Sequence, residues 1–382
     1  MLWDERAYAE ARYQHEFAGD WTVLARGYFD HYAYRAVYPY DYADPYFPGV
    51  TRNIDYPQTR FWGGEVQASK TLFQRHRLTF GVEGRHDAEL RQHNYDVAPA
   101  LTYIDSNSSA ASVGAYAQDE FSILTNLTLN AGVRYDFFST FGSTVNPRAA
   151  LIYHPWRPTT FKFLYGEAYR APNAYESDFE NAYYAGNHDL KPETIRSYEL
   201  VWEQSLAADY RLTGTLFYNQ VQDLITQVTG GDGRLIFRNT DSVDVKGGEA
   251  ELEARWSGGF RGRVSYTFAQ ATDNATGRVL NNSPKHLGKL QFIAPLYPEK
   301  LFAALEVQAA SSRGTVQGNK TAGFAVANLT FFSRDLARNL EVSGSIYNLF
   351  DQKYADPAGP DFVQDTLPQD GRTFRVKLTY KF

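Results

Sequence analysis

Cysteine is absent from all 382 residues, which excludes disulfide frameworks, thiolate metal centres and cysteine nucleophiles. No run of about 20 consecutive apolar residues occurs, so the sequence holds no candidate transmembrane helix. Glycine numbers only 29, far short of a collagen-like repeat. A basic patch is missing as well: the net charge is −6, and Lys and Arg are scattered singly, so nucleic acid is not an expected partner. The first residues, MLWDERAYAEARYQHEF, show no basic region followed by an apolar stretch, so no export signal is visible. Against these absences stand 28 Tyr and 26 Phe, with aromatics at 16% of the chain. A disordered chain would be poor in such residues. Yet mean hydropathy is −0.47, so the aromatics must be dispersed among polar residues.

The dispersal has a period of two. In GRTFRVKLTYKF, Phe374, Val376, Leu378, Tyr380 and Phe382 fall on one face, and Arg375, Lys377, Thr379 and Lys381 on the other. NLTLNAGVRYDFF sets Leu127, Leu129, Ala131, Val133, Tyr135 and Phe137 against Thr128, Asn130, Arg134 and Asp136. Successive side chains of a strand point to opposite faces, so each such segment has one apolar and one polar wall. The pattern predicts seventeen strands between residues 2 and 382, many a dozen residues or longer, against a usual mode of ~5–6.

The expected connections alternate in length. Short turns fall at Ala18–Gly19, Arg75–His76, Ala207–Ala208 and Ser257–Gly258; long loops are expected at 37–58, 94–110, 170–192, 226–241, 273–285 and 351–370. Short turns on one side and long loops on the other mark an antiparallel up-and-down transmembrane β-barrel, with aromatic girdles at both interfaces. A soluble sandwich need not sort its loops this way, and no blade-length repeat argues for a propeller. A closed single-chain barrel of the bacterial outer membrane has an even strand number. Seventeen is odd, and together with the missing export signal it suggests that 1–382 is the C-terminal part of a larger barrel.

Candidate chemistry is sparse. Glu249, Glu251 and Glu253 face Arg261 and Arg263 across a turn; a charge ladder on a wet wall explains them without acid–base roles. None of the eight histidines has paired metal-ligand spacing, so neither a metal site nor a cofactor is expected. GGDGR at 230–234 reads as a turn. The first expected outer loop, HYAYRAVYPYDYADPYFPGVTRNIDYP, is the best binding candidate. Tyr32, Tyr34, Tyr38, Tyr40, Tyr42, Tyr46 and Phe47 offer flat amphipathic surface, with Arg35 as a cationic contact, suited to a planar ligand such as a catecholate siderophore. An interface girdle with a self-packed loop accounts for the same residues. Asp41, Asp44 and Asp55 are a weak calcium candidate.

Several segments then point to a family. They are Ser112–Asp136, Asn146-Pro147-Arg148, Tyr165–Glu176 (YGEAYRAPNAYE), and Leu190-Lys191-Pro192-Glu193 followed by Ser197–Leu200. Further on come Phe217-Tyr218-Asn219, Ser283–His286, Tyr347–Asp351 with Lys353-Tyr354, and the terminal Phe382. In this order and spacing the chain resembles the C-terminal part of the β-barrel of TonB-dependent outer-membrane receptors. The resemblance implies strands six to twenty-two of a twenty-two-strand barrel, without the plug domain and TonB box. It further implies uptake of a metal chelate of the siderophore, haem or cobalamin class, with the TonB complex acting only through a plug. Outer-membrane lipids and the barrel assembly machinery are the other expected partners. The apolar face Phe374, Val376, Leu378, Tyr380, Phe382 resembles that machinery's recognition signal. A passive porin is the alternative, and no enzyme is expected; a barrel phospholipase would need a Ser–His arrangement at the outer rim.

Overall fold

The structure is a computed structural model and describes residues 1–41, 49–180, 184–207, 209–334, 339–359 and 362–381. It is built almost wholly of strands. In chain order these are β1 (Leu2–Phe17), β2 (Trp21–Asp41), β3 (Val50–Asp55), β4 (Gln58–Leu72), β5 (His76–Val97), β6 (Ala100–Leu124) and β7 (Leu127–Phe138). Next are β8 (Gly142–Trp156), β9 (Thr159–Arg170), β10 (Tyr184–Ala185), β11 (Glu193–Leu206), β12 (Tyr210–Thr229), β13 (Leu235–Arg255) and β14 (Arg261–Asp273). The last are β15 (His286–Tyr297), β16 (Leu301–Ala310), β17 (Phe324–Ser333), β18 (Leu340–Tyr347), β19 (Ala355–Pro357), β20 (Thr366–Pro368) and β21 (Thr373–Tyr380). Every one of the seventeen segments expected from alternation is a strand of eight or more residues; β3, β10, β19 and β20 are shorter additions.

Contacts divide the chain into two compact units. The first comprises residues 1–151, 165–196 and 221–241, the second 152–164, 197–220 and 242–382. Within the first, β1 pairs β2, β2 pairs β4, and β4 through β7 follow in antiparallel order. The β1–β2 ladder is unbroken from Leu2↔Ala36 to Phe17↔Trp21. Its turn uses the positive φ of Gly19 and Asp20, residue types that tolerate the left-handed region. Within the second unit, the sequence from β14 to β18 is again antiparallel, neighbour to neighbour, and β18 pairs β21.

Alternation is realised as two unlike faces. On one, Phe29, Trp62, Val66, Phe80, Val82, Val113, Val133, Tyr135 and Phe137 are exposed, an apolar surface that only lipid would cover. On the other lie the ion pairs and hydrogen bonds described below. β21 repeats the arrangement: Phe374, Val376, Leu378 and Tyr380 are all exposed on one face of a strand that pairs β18 from Leu340↔Tyr380 to Tyr347↔Thr373. Phe382 lies outside the described residues.

Three expected long loops, 37–58, 94–110 and 226–241, are largely strand, the last reduced to the turn between β12 and β13. The β5–β6 pairing continues through Val97↔Ala100, so 94–110 is a tight hairpin rather than an irregular loop. Likewise β2 runs on to Asp41 and pairs β3 from Ala36↔Asp55 to Asp41↔Val50. The reason is solvent. Beyond the membrane both faces meet water, so the apolar period disappears while the backbone ladder persists. A five-residue helix, Ala174–Asp178, was also not expected; its capping box joins Asn173 and Glu176 reciprocally.

Candidate functional site

The polar face of the first unit carries a charge ladder across five strands. Register places Arg26 of β2 opposite Glu65 of β4, and Glu65 opposite Glu83 of β5. Two carboxylates directly opposed repel. Arg26 offsets this with Nε 2.9 Å from Glu65 Oε2 and Nη2 3.9 Å from Glu83 Oε1. From the far side Arg134 of β7 reaches Glu83 Oε2 at 3.2 Å and Asp136 Oδ1 at 2.6 Å. The Tyr116 hydroxyl of β6 donates to Glu65 at 2.7 Å and is 2.9 Å from Gln67 Oε1.

Glycines make the ladder possible. A Cβ on Gly81 would stand 2.5 Å from Tyr116 Cε1 and closer still to Cζ, so the Tyr116 ring lies flat over that glycine. At Gly114 a Cβ would meet Asp136 Oδ1 at 2.5 Å and the Arg134 guanidinium. The long side chains therefore fold sideways across neighbouring strands rather than project outward. They line a groove of about 620 Å³ that also includes Arg148, Glu167 and Tyr169. The groove offers alternating charge and hydrogen-bond donors. It has no nucleophile–base pair, and among the described residues no group of three or more His, Asp and Glu side chains is placed to hold a metal.

The tyrosine candidates stand on strand β2. Tyr32, Tyr34, Tyr38 and Tyr40 share its even-numbered face, the same face as Arg26. Tyr32 donates to Asp4 at 2.6 Å, and the Tyr34 and Tyr38 hydroxyls hydrogen-bond each other. Tyr38 and Tyr40 stack at 6.0 Å. Arg35 does not join them: it lies on the odd face, over the Trp3 ring at 5.8 Å. Tyr42, Tyr46 and Phe47 lie outside the described residues. Beneath the tyrosines, Asn53 donates to Asn94 and Asp96, each at 2.9 Å, and Tyr103 donates to Asp96 at 2.6 Å. Asn53 and Asp96 are each only 3% exposed, so this cluster is the fixed base of the hairpin.

The remaining candidates resolve simply. Asp44 lies outside the described residues, and Asp41 and Asp55 pair with Val50 and Ala36. Five residue steps, roughly 17 Å, then separate them, too far for one shared ion. Arg263 pairs with Glu253 and lies 3.8 Å from Glu251, the cross-strand ladder expected of a wet wall. His188 sits 3.5 Å from Asp178 in an outer connection. GGDGR forms the turn between β12 and β13, where hydrogen bonds from Arg234 hold the Asp232 carboxyl below its ordinary range. Alternation alone puts Arg134 and Asp136 on a polar face but gives no role to the ladder glycines. The legible signal was there: Gly81 and Gly114 occupy polar-face positions that alternation would give to polar side chains.

Comparison with known proteins places this geometry. At 27% identity over 368 residues, the chain matches the iron-regulated outer membrane virulence protein of Vibrio cholerae, covering 86% of this chain and 54% of that protein. It matches the ferric enterobactin receptor of Pseudomonas aeruginosa at 24% over 324 residues, 72% of this chain and 43% of the receptor. The chain thus spans about half the length, or less, of these curated relatives. Among solved structures, the copper transporter OprC superposes on 99% of the chain and 65% of its own length, with a TM-score of 0.79 at 19% identity. The outward apolar and inward polar faces are accordingly those of an outer-membrane β-barrel. Residues 3–349 match the TonB dependent receptor-like β-barrel model, and the chain belongs to that family of receptors rather than to any enzyme class.

Proposed function

We propose that this chain supplies barrel wall and outer hairpins for TonB-dependent import of a metal chelate of the siderophore, haem or cobalamin class. The carrying observation is the family match over nearly the whole chain, joined to a polar wall suited to a hydrated passage. Relatives named for iron regulation and for ferric enterobactin support the substrate class. Nothing favours the passive porin. In this reading the TonB complex pulls on a plug domain seated in the barrel, and the terminal apolar face Phe374–Tyr380 serves recognition by the barrel assembly machinery.

Within that reading, Tyr34, Tyr38 and Tyr40 contact the chelate from the inner face of the β2–β3 hairpin. Aromatic faces provide contact area at small entropic cost. In the full-length protein, changing all three to Ala is expected to weaken chelate binding at least tenfold. Equilibrium binding of a ferric catecholate, alongside haem and cobalamin, is the measurement. Affinity unchanged for each would dismiss the tyrosine site, and no binding of any class would dismiss the receptor reading.

A further inference from the structure

Around the tyrosines of β2, the first unit sorts its charges by face. On the outward face Arg35 stands opposite Trp3, Arg52 opposite Pro39, Arg60 opposite His31 and Arg91 opposite Gln58. On the inner face the sign is reversed. Asp4 stands opposite Tyr34, Asp55 opposite Ala36, and Asp96 opposite Asn53, which is itself opposite Tyr38. Asp30 lies lower on the same even-numbered face of β2. Side chains alternate strictly along a ladder without a register shift, and the β1–β2, β2–β3 and β2–β4 ladders run without one.

The inner face offers little to offset these carboxylates. Above Tyr28, among the described residues of β1, β2 and β3, its one side-chain cation is Arg6, and Arg6 is committed to Asp30 at 2.5 Å. On β5, Arg85 is likewise held by Asp87 at 2.6 Å. Asp4 accepts from Tyr32 at 2.6 Å and Asp55 from Asn94 at 3.3 Å, neutral donors that leave both negative charges in place. Burial, then Tyr38, Asp55 and Asp96, push the Tyr40 phenol above its ordinary range, so it stays neutral. The sequence between the two strands continues the bias: residues 42–48 read YADPYFP, with one acid and no Lys or Arg.

We propose that the tyrosine face accepts metal chelates that are neutral or cationic and rejects strongly anionic ones. The inference rests on the receptor reading, with Tyr34, Tyr38 and Tyr40 as the contact surface, and adds the charge of the chelate to it. Ferric chelates divide cleanly on this point. Hydroxamates are monoanions, so three of them leave Fe(III) in an uncharged complex; catecholates are dianions, so three of them leave a trianion. Aromatic faces pack on either kind, and they attract a cationic group further. A trianion centred about 8 Å from one carboxylate is repelled, after screening by physiological salt, by an amount worth about threefold in affinity. Asp4 and Asp55 thus act as a repulsive element that discriminates between ligands of similar shape. The catecholate that the aromatic residues alone would suit is the class these carboxylates disfavour.

The test uses the full-length protein in detergent and equilibrium binding of three ferric probes. They are an uncharged tris-hydroxamate, a tris-hydroxamate carrying one ammonium group, and a trianionic tris-catecholate. Wild type is expected to bind the first two more tightly than the third, by about tenfold or more. Raising the salt from about 50 mM to about 500 mM should tighten the trianion and weaken the cation. Asp4→Asn with Asp55→Asn keeps an acceptor oxygen at each position and removes both charges. The ratio of trianion to cation affinity should then rise about fivefold or more, a reversal that no folding defect mimics. Tightest binding of the trianion by wild type, or a ratio that the double variant moves by less than about twofold, would overturn the charge selection and leave the receptor reading standing. Binding that the triple change of Tyr34, Tyr38 and Tyr40 to Ala does not weaken would put the chelate elsewhere and overturn it too. Silence of all three probes would also overturn it, and the receptor reading falls with it only if haem and cobalamin are silent as well.

Discussion

At the scale of single residues, the polar wall depends on missing side chains as much as on charged ones. Tyr116 reaches Glu65 only because Gly81 leaves room beneath its ring. Gly81→Ala forces the ring off the wall and breaks a hydrogen bond to a carboxylate. Overpacking of this kind costs about 1–3 kcal/mol. Urea unfolding of the full-length barrel should show that loss, and adding Tyr116→Ala should recover part of it, since the methyl then has space. Additive losses would mean that the two residues do not share the space. Asp351 offers a second test, outside the membrane. The Arg372 backbone N–H, at 2.8 Å, and Lys353, at 3.2 Å, hold its carboxyl below the ordinary range. A lowered folded-state value means the contact stabilises above an unfolded pKa of about 4 and is lost as pH falls through the lower folded value. Proteolysis of the 351–372 connection should therefore accelerate below about pH 4, and Asp351→Asn should flatten that dependence. Asn tolerates the positive φ of this position, so the backbone is undisturbed.

At the scale of elements, legibility followed the bilayer. Where one face meets lipid and the other water, alternation is strict, and strands such as β7 and β21 can be read from the sequence with nearly their true ends. Past the interface the requirement lapses. HNYDVAPALTYIDSNSS has only a short alternation around its Ala-Pro turn, yet it forms paired strands along its length, with the buried polar pair Asn53 and Asp96 beside the buried Ile54 and Ile104. The tyrosine hairpin shows the same thing: its residues were recognisable as a cluster, but their placement on a strand, and the turning of Arg35 to the opposite face, needed the β1–β2 register. The hairpin base gives the element-level prediction. Asn53→Ala removes the donor to Asp96 Oδ1 and to Asn94 Oδ1, while Tyr103 still donates to Asp96 Oδ2, a loss of about 1–3 kcal/mol in a buried site. Amide exchange should accelerate in 50–55 and 94–97 while β7 is unaffected. Unchanged protection there would show that the cluster does not hold the hairpin.

At the scale of the whole molecule, an alternating sequence with negative mean hydropathy is a membrane protein whose lipid face is spread over every second residue. Such a wall has a particular kinetic property. Each long strand commits its backbone groups to neighbours, and in lipid no water is available to replace a broken bond. Unfolding must then break many hydrogen bonds together, with no stable partly opened state. Dodecyl sulfate at room temperature should leave the membrane-extracted full-length protein folded, compact and fast-migrating on a gel. Boiling should supply the activation enthalpy and give a slower, extended species. Disrupting the charge ladder gives this measurement residue-level resolution. Arg134→Ala leaves Glu83 and Asp136 without their shared cation, so the temperature at which the fast band disappears should fall by several degrees. Equal mobility of boiled and unboiled wild type would contradict the barrel itself. An unchanged transition in the variant would contradict only the importance of the ladder, because the backbone pairing of β6 with β7 does not depend on the Arg134 side chain.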